Sequence, residues 1–357
     1  MLKYIILFIF SGLILSCGNH QLKNKSYNAA KDTLKYSGEK HFRNVKMLTF
    51  EGENAEAYFS SNEDRLIFQS THGKYQCDQI FTMDLNGQNM KLVSTGMGRT
   101  TCSYFLPGDK KILYASTHGA NPECPPKPDY SHGYVWKVYK DYELYMANAD
   151  GSDPQIFLPA PGYDAEATIS PIGDRIVFTS MRNGDLDIYS VNIDGSDLKQ
   201  LTNTLGYDGG PFYSWDGKKI VYRSYHPKTE EDIGRYKDLL AQELIQPTTF
   251  QLMVMNADGT NQRQITNNEY ANFAPFYYPD NKRIIFCSNI NSKDPQKPIF
   301  NLWMINEDGS GLEQITYFIG FDGFPMFTHD GKKLVFASNR YNRQPRDTNV
   351  FIADWVE

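Results

Sequence analysis

Six copies of one short strand pattern are spread over nearly the whole chain. Each copy is a basic residue followed by three apolar or aromatic residues, and a turn rich in Asp, Asn or Gly comes directly before it. Residues of these types supply the positive φ angles that tight hairpins need. Equivalent aromatic residues recur every 44 to 64 residues, a period that indicates a propeller or a solenoid. The copies cover residues 65–68, 111–114, 175–178, 219–222, 283–286 and 333–336.

The number of strands in each copy favours the propeller. Another strand precedes each turn, and in five of the six copies a third strand and a second Asn-Gly or Asp-Gly turn follow. Four strands joined by hairpins form one blade of a β-propeller. The sixth copy stops at its third strand, near Trp355, and residues 46–49 resemble the missing fourth strand. We therefore predict an all-β fold, a single six-bladed β-propeller closed by an N-terminal strand that completes the last blade and leaves no exposed sheet edge.

Blades two and four carry insertions of about 20 residues between their second and third strands. Loops at this position emerge on the face where the first strands begin, which we call the loop face. The insertion of blade two is rich in proline, which stiffens a loop, and its Trp136 either seals the loop onto the blade or stacks on a bound sugar or peptide. The insertion of blade four starts with Thr229 and Asp232 in a capping-box arrangement. Apolar residues then follow at helical spacing until Pro247, which predicts one short amphipathic helix. We expect its apolar side to pack on the propeller, and a helix that binds a partner is the alternative.

The start of the chain has the pattern of an export signal. Lys3 is followed by an almost wholly apolar run to Ile14, which is shorter than the roughly 20 residues that a membrane span needs. Ser16 and Cys17 follow where cleavage is expected, so we predict that residue 17 carries a lipid. The alternatives are an ordinary secretory signal with an incidental cysteine and a short anchor that is left uncleaved.

These signals predict the order of domains along the chain. Residues 1–16 form a lipoprotein signal peptide, residues 17–43 a flexible polar tether, and residues 44–357 the propeller. The lipid holds the protein in the cell envelope without a membrane span. Because Gly18 is not acidic, we expect the outer membrane, with the propeller facing the periplasm. The net charge of −6 and the absence of a long basic stretch argue against nucleic acid as a partner.

The repeats resemble those of TolB-like β-propellers. The resemblance rests on Ser-Pro-x-Gly-Asp-Arg-Ile-Val-Phe at residues 170–178 and on the Asn-x-Asp-Gly-[Ser/Thr] turns, and it covers about 310 residues. The family includes the periplasmic TolB proteins, the gating propellers of prolyl peptidases and some polysaccharide lyases. The resemblance implies the fold and allows several functions. TolB itself also has an N-terminal α/β domain, for which this sequence shows no counterpart.

Superposing the six copies predicts a ring of polar side chains on the loop face. One aligned position follows each aromatic residue by four places. A second stands six residues ahead of the end of each first strand, just outside the strand, and a third lies two residues further on. We expect these positions to line the central opening. With Trp136 from the first insertion, the candidate residues are His72, His118, Arg182, His226, Arg340, Glu56, Asp164, Glu166, Asp208 and Asp322.

Three interpretations of this ring are open. In the first, Asp164 pairs with Arg182 and Asp322 with Arg340, and the pairs hold loops within blades. In the second, the ring forms a polar pocket for an anionic or sugar-like ligand. In the third, three histidines converge on a divalent metal, as the resemblance to propeller lyases implies; these are His72, His118 and His226.

The predicted function is non-catalytic binding. We expect a monomeric scaffold without a cofactor that recognises a protein or a glycan through its loop face. The alternative is a metal-dependent enzyme that acts on polysaccharide through the histidines. The sequence lacks the Gly-x-Ser-x-Gly motif of serine hydrolases. Metal analysis of the purified protein separates the two.

Four cysteines follow Cys17, and an exported protein meets oxidising conditions. Two disulfides with three possible pairings are therefore allowed. We expect Cys77 to pair with Cys102, because both lie near the loop face in neighbouring blades. Cys287 directly follows an apolar strand and is expected to be a buried free thiol.

Overall fold

A computed structural model describes residues 34–294 and 297–357 of the chain. The predicted signal peptide, the lipidation site Cys17 and most of the tether lie outside the described residues. None of the described helices has the length and apolar character needed to cross a membrane.

Six antiparallel four-stranded sheets form the blades, so the six-bladed β-propeller is confirmed. The first strands of neighbouring blades contact one another around the ring. Blades one to three consist of β2 (Asn54–Phe59), β3 (Arg65–Ser70), β4 (Gln79–Asp84) and β5 (Lys91–Leu92); β6 (Thr100–Phe105), β7 (Lys111–Ser116), β9 (Glu143–Asn148) and β10 (Gln155–Ile156); and β11 (Asp164–Ile169), β12 (Arg175–Ser180), β13 (Asp187–Asn192) and β14 (Lys199–Gln200).

Blades four to six repeat this arrangement, with the first strand of the chain placed in blade six. Their strands are β15 (Tyr207–Tyr213), β16 (Lys219–Tyr225), β18 (Gln251–Asn256) and β19 (Arg263–Gln264); β20 (Asn272–Tyr277), β21 (Arg283–Ser288), β22 (Asn301–Asn306) and β23 (Glu313–Gln314); and β24 (Asp322–Phe327), β25 (Lys333–Ser338), β26 (Asn349–Trp355) and β1 (Phe42–Met47).

The sixth blade contains both ends of the propeller. Strand β1 pairs antiparallel with β26, so that Phe42 stands opposite Trp355 and Met47 opposite Phe351. This pairing is consistent with the expected closure, in which an N-terminal strand replaces the missing fourth strand of the last repeat.

The aligned aromatic residues of the second strands form the centre of each blade. All six are fully buried, and burying a side chain of this size stabilises the fold by roughly 1.5–3 kcal/mol. The repeat that is visible in the sequence is therefore the packing unit of the core. The six residues are Phe68, Tyr114, Phe178, Tyr222, Phe286 and Phe336.

The described segment before β1 packs on blade six, which differs from the expected tether over residues 17–43. Glu39 is fully buried and forms an ion pair with Arg340 at 2.9 Å. The ring of Tyr36 lies 5.2 Å from that of Phe318. The polar composition of this segment predicts a solvent-exposed tether. One of its polar residues, Glu39, is instead the counter-ion of a buried guanidinium.

The insertions of blades two and four join on the loop face. Strand β8 (Trp136–Lys137) of the first pairs antiparallel with β17 (Leu244–Ile245) of the second. The first also contains a 3-10 helix, Tyr130–His132, and the second the predicted helix, α1 (Glu230–Leu240), whose N-cap is Thr229. We call the two insertions, residues 119–137 and 227–247, the cap.

Candidate functional site

Every first strand contains a β-bulge at the same position. The residue that directly follows the last regularly paired position before the register shift has a φ between 49° and 59° in all six strands. The register shifts after Ala55, Thr101, Ala165, Gly209, Phe273 and Gly323. A bulge re-aims the side chain that it carries. We call these six residues the bulge ring, because all of them line the narrow part of the central channel: Glu56, Cys102, Glu166, Gly210, Ala274 and Phe324.

The channel is almost filled at the level of the bulge ring. The void there measures about 20 Å³ and is also lined by Tyr58 and Phe212. The rings of these two residues lie 5.6 Å apart, and that of Phe276 lies 5.3 Å from that of Phe212. Aromatic packing therefore narrows the channel below the ring.

A larger cavity lies between the bulge ring and the cap. Its volume is about 430 Å³, which is within the range of sites for small ligands or for single segments of larger ones. We call it the capped cavity. Glu56, Arg223 and Phe324 line both the cavity and the void, and so they form the cavity floor. The other aromatic residues that line it are Tyr130, Tyr134, Trp136, Tyr139, Tyr142, Phe273 and Phe321.

Most charged side chains around the capped cavity form ion pairs. Pairing fixes the orientation of long side chains and compensates their charges. The pairs are Arg99 with Asp78 at 2.6 Å, Arg346 with Glu53 at 2.9 Å and Lys137 with Glu243 at 3.3 Å.

Arg223 and Glu166 form the most buried pair of the site. The Glu166 carboxylate also accepts hydrogen bonds from the Thr179 hydroxyl at 2.7 Å and from the Gly210 amide at 2.9 Å. The Arg223 guanidinium donates to the Tyr207 hydroxyl at 2.6 Å and lies 5.1 Å from the centre of the Trp136 ring. One guanidinium thus connects the cavity floor with the cap.

Glu56 is the acidic group of the cavity floor, and it differs from Glu166 in the void beneath. Among the described residues, no basic side chain forms an ion pair with it. Burial raises its pKa to about 7, and the nearby Glu166 carboxylate adds to this, whereas a hydrogen bond with Cys102 and the charge of Arg223 act in the opposite direction.

The structure brings only some of the predicted residues to the cavity. Glu56 and Trp136 line it, and Glu166 lines the void beneath. The other eight lie within their own blades. Their partners include Asp164 with Arg182 at 2.8 Å, Asp322 with Arg340 at 2.7 Å, Asp208 with His226 at 3.1 Å, Ser116 with His118 at 2.8 Å and Glu51 with His72 at 3.2 Å.

The aspartates in these pairs belong to a second ring. It consists of the residue two places before each member of the bulge ring, at or next to the start of the first strand, and we call it the entry ring. Each member is buried and stands opposite a serine of the second strand. The members are Asn54, Thr100, Asp164, Asp208, Asn272 and Asp322.

The three histidines are not brought together. In blade one the ring of His72 packs on Phe81, and in blade two the ring of His118 lies 4.2 Å from that of Tyr145. In blade four His226 is hydrogen-bonded to Asp208. Within residues 34–294 and 297–357, no group of three or more His, Cys, Asp or Glu side chains is arranged to hold a metal ion.

Arg223 is the main site residue that the alignment missed. It directly follows the buried Tyr222 on its strand, and successive side chains of a strand point to opposite faces. Gln69 has the same position in blade one and also lines the cavity. A charged residue directly after the aligned aromatic residue, which no other blade has at this position, was the available signal.

The disulfide joins Cys77 to Cys124, with their Cα atoms 6.0 Å apart, so the expected pairing with Cys102 is corrected. Cys102 is a free thiol because the bulge directs its side chain into the channel. Cys287 is free and buried, as expected. The disulfide fastens the cap to blade one, while β8 and β17 fasten its two parts to each other.

No protein-family model and no curated protein matches the sequence. Solved structures with a similar fold include a putative TolB from Agrobacterium tumefaciens, with 17% identity over 86% of this chain and 91% of that one and a TM-score of 0.53. TolB from Acinetobacter baumannii is 16% identical over 85% of this chain, with a TM-score of 0.55, and this chain spans 64% of its length. An oligogalacturonate lyase in complex with manganese is 13% identical over 88% and 93% of the two chains, with a TM-score of 0.51. These likenesses confirm a TolB-like propeller fold.

Proposed function

We propose that this protein is a non-catalytic binding protein of the cell envelope that recognises a protein or glycan partner through its loop face. The capped cavity holds the recognised segment. The observation that carries the proposal is the joining of two insertions, from blades two and four, above the mouth of the channel. Neither insertion is part of the repeat that builds the blades, and long loops on a rigid scaffold are a common place for function.

The lining of the capped cavity suits a segment with both apolar and polar groups. Aromatic faces pack on the apolar side of a sugar ring or a peptide side chain. Charges that are already paired hold donors and acceptors in place, which reduces the ordering cost of binding. Trp136 combines both features, because its ring covers Arg223 and forms part of the cavity wall.

A metal-dependent enzyme acting on polysaccharide would need another arrangement of the histidines. His72, His118 and His226 would have to leave their partners in three blades to share one ion. The geometry therefore favours binding in the capped cavity over chemistry at a histidine ring.

The location is proposed from the start of the sequence. A lipid on Cys17 would hold a monomeric propeller at the outer membrane, facing the periplasm, with the lipid as its sole contact with the membrane. Labelling with a fatty-acid precursor tests this. A Cys17→Ser variant that remains labelled and membrane-bound would contradict it.

The binding proposal is tested with arrays of peptides and glycans probed by the purified protein. Trp136→Ala removes an aromatic wall of the capped cavity, and we expect it to weaken the selected ligand by about tenfold or more. Tyr270→Ala is the matched control, because Tyr270 is a half-exposed aromatic residue that does not line the cavity. Selective ligands whose affinity is the same in Trp136→Ala and in the wild type, or no selective ligand in either array, would contradict the proposal.

A further inference from the structure

The floor of the capped cavity and the void beneath it together contain one more acidic group than basic groups. Three charged side chains meet there: Glu56, Glu166 and Arg223. Arg223 and Glu166 form an ion pair and share a hydrogen-bond network with Tyr207. The charge of Arg223 is thereby compensated, and an ionised Glu56 would be left with an excess negative charge in a largely dehydrated place. A cation bound beside such a carboxylate strongly stabilises its ionised form.

The void beneath Glu56 limits the size of a cationic group that enters it. Glu56 stands where the cavity of about 430 Å³ meets the void of about 20 Å³. A space of roughly 10–15 Å³ on this measure is enough for one water molecule, and an ammonium group is of similar size. A sugar ring is several times larger and does not fit into the void.

The walls above Glu56 suit an aliphatic chain. Tyr134 and Trp136 of the cap and Phe324 of the floor line the same cavity. A lysine side chain packs its methylene groups along apolar surfaces and keeps its charge at the tip. Aromatic faces also attract an ammonium group that passes them.

We infer that the capped cavity binds the side chain of a lysine on a peptide segment, with its ammonium group against the carboxylate of Glu56. The inference rests on the proposed function, because it names the chemistry of the segment held in that cavity. It follows from the uncompensated carboxylate, the small void beside it and the aromatic walls above it. Glu56 would be the residue that selects lysine.

The titration of Glu56 adds a second observable. The charged or titratable side chains that act on it most are Tyr58, Asp78, Cys102, Glu166 and Arg223. The same cavity is also lined by Glu53, Arg99, Lys127, Lys137 and Arg346. With a pKa of about 7, Glu56 is half protonated at neutral pH, whereas a lysine ammonium stays charged up to pH values near 10. Binding should therefore release about half a proton at pH 7, and affinity should rise about tenfold from pH 6 to pH 8.

The experiment is titration calorimetry of the full-length protein with the capped pentapeptide Gly-Gly-Lys-Gly-Gly. Its Nε-acetyl-lysine counterpart keeps the chain and removes the charge. We expect acetylation and Glu56→Gln each to weaken binding about tenfold or more at pH 8. Glu51→Gln is the control, because Glu51 is an exposed carboxylate nearby that does not line the cavity. Calorimetry in two buffers of different ionisation enthalpy measures the released proton, which should disappear in Glu56→Gln.

The outcomes separate this inference from the proposed function. If Glu56→Gln binds the lysine peptide like the wild type while Trp136→Ala does not, the role of Glu56 is wrong and the capped cavity stays the binding site. If oligomers of glucosamine bind through Glu56 and the lysine peptide does not, the peptide assignment is overturned. If ligands found on the arrays bind equally well to both variants, the cavity is not the site and both proposals fail. Thermal unfolding of each variant verifies that it is folded.

Discussion

The entry ring and the bulge ring lie two residues apart in the same six strands, yet their environments differ. In the entry ring, five of the six residues are Asp or Asn, and the sixth is Thr100. Each is buried opposite a serine of its own blade. The bulge ring contains two glutamates and four different residues besides, and all six face the channel.

This difference separates what the fold requires from what a site requires. A position that is polar in every blade, and whose side chain forms hydrogen bonds or ion pairs within its own blade, stabilises the repeat. A position that changes from blade to blade while facing a common space creates an asymmetric surface, and asymmetry is what a selective site needs. Substitutions in the two rings should therefore differ in whether they change stability or binding.

Among substitutions near the entry ring, Arg340→Ala should lower the stability of the fold most. Arg340 is fully buried between Asp322 and Glu39, so its loss leaves two buried carboxylates without a cation. We expect the free energy of unfolding to fall by about 3–5 kcal/mol, measured by urea denaturation at pH 7. Arg182→Ala is the comparison, and it should cost less because Arg182 is partly exposed. A loss below about 1 kcal/mol for Arg340→Ala would contradict a structural role of the entry ring.

Glu56→Gln should raise the free energy of unfolding at neutral and alkaline pH. The ordinary pKa of this carboxyl is 4.5 and burial raises it to about 7, so ionisation disfavours the folded state. Below pH 4.5 the residue is protonated in both states and has no effect; between pH 4.5 and 7 the unfolded state ionises first and stability is lost.

The glutamine variant avoids this loss. We expect it to be more stable than the wild type by on the order of 3 kcal/mol at pH 8 and equal to it near pH 4. Urea denaturation at both pH values measures the difference, and Glu51→Gln should show none of it. Equal stabilities at pH 8 would mean that Glu56 lacks the strain expected of a ligand-binding residue.

The repeats predict the fold well, and they predict the site in part. Counting blades, locating the helix near Thr229 and expecting an N-terminal strand in blade six needed local patterns alone. The alignment also selected both rings. It could not distinguish them, because side chains two residues apart share a face of a regular strand. The bulge breaks that rule by adding a residue, so Asn54 points into its blade and Glu56 into the channel.

The cap could not be derived from the sequence, because it depends on contacts between distant segments. Nothing in the spacing of Trp136 and Ile245 indicates that their strands pair. The same loop path brings Cys124 to Cys77, and a pairing argued from neighbouring blades therefore chose Cys102.

Gly210→Ala tests how strictly blade four needs its bulge residue. The φ of Gly210 is 59°, and an added Cβ would lie 2.5 Å from Nη1 of Arg223, whose position is fixed by Glu166. Left-handed backbone costs a non-glycine residue about 1–2 kcal/mol, and displacing a buried guanidinium adds to this.

We expect Gly210→Ala to lower the free energy of unfolding by about 2 kcal/mol or more, measured by urea denaturation. Ala274→Gly makes the reverse change in blade five, where relief of the backbone and loss of a buried methyl group act against each other. That variant should stay within about 0.5 kcal/mol of the wild type. A neutral Gly210→Ala would mean that the Arg223 network adapts freely and cannot hold the cavity floor in place.

His226→Gln should have the smallest effect on stability. The effect should depend on pH, because His226 is paired with Asp208 of the entry ring. Burial alone would lower the pKa of His226, but the hydrogen bond and charge of Asp208, with the charges of Asp185 and Asp187, raise it overall from 6.5. A raised histidine pKa means that the folded state holds the proton more tightly, so the pair stabilises fully below pH 6.5 and loses this contribution as the pH rises through the folded-state pKa. We expect the variant to be about 1 kcal/mol less stable than the wild type at pH 6 and nearly equal to it at pH 9, with binding of a cavity ligand unchanged. A variant that instead lost ligand affinity at pH 8 would show that the entry ring contributes to the site, because at that pH its stability should differ little from that of the wild type.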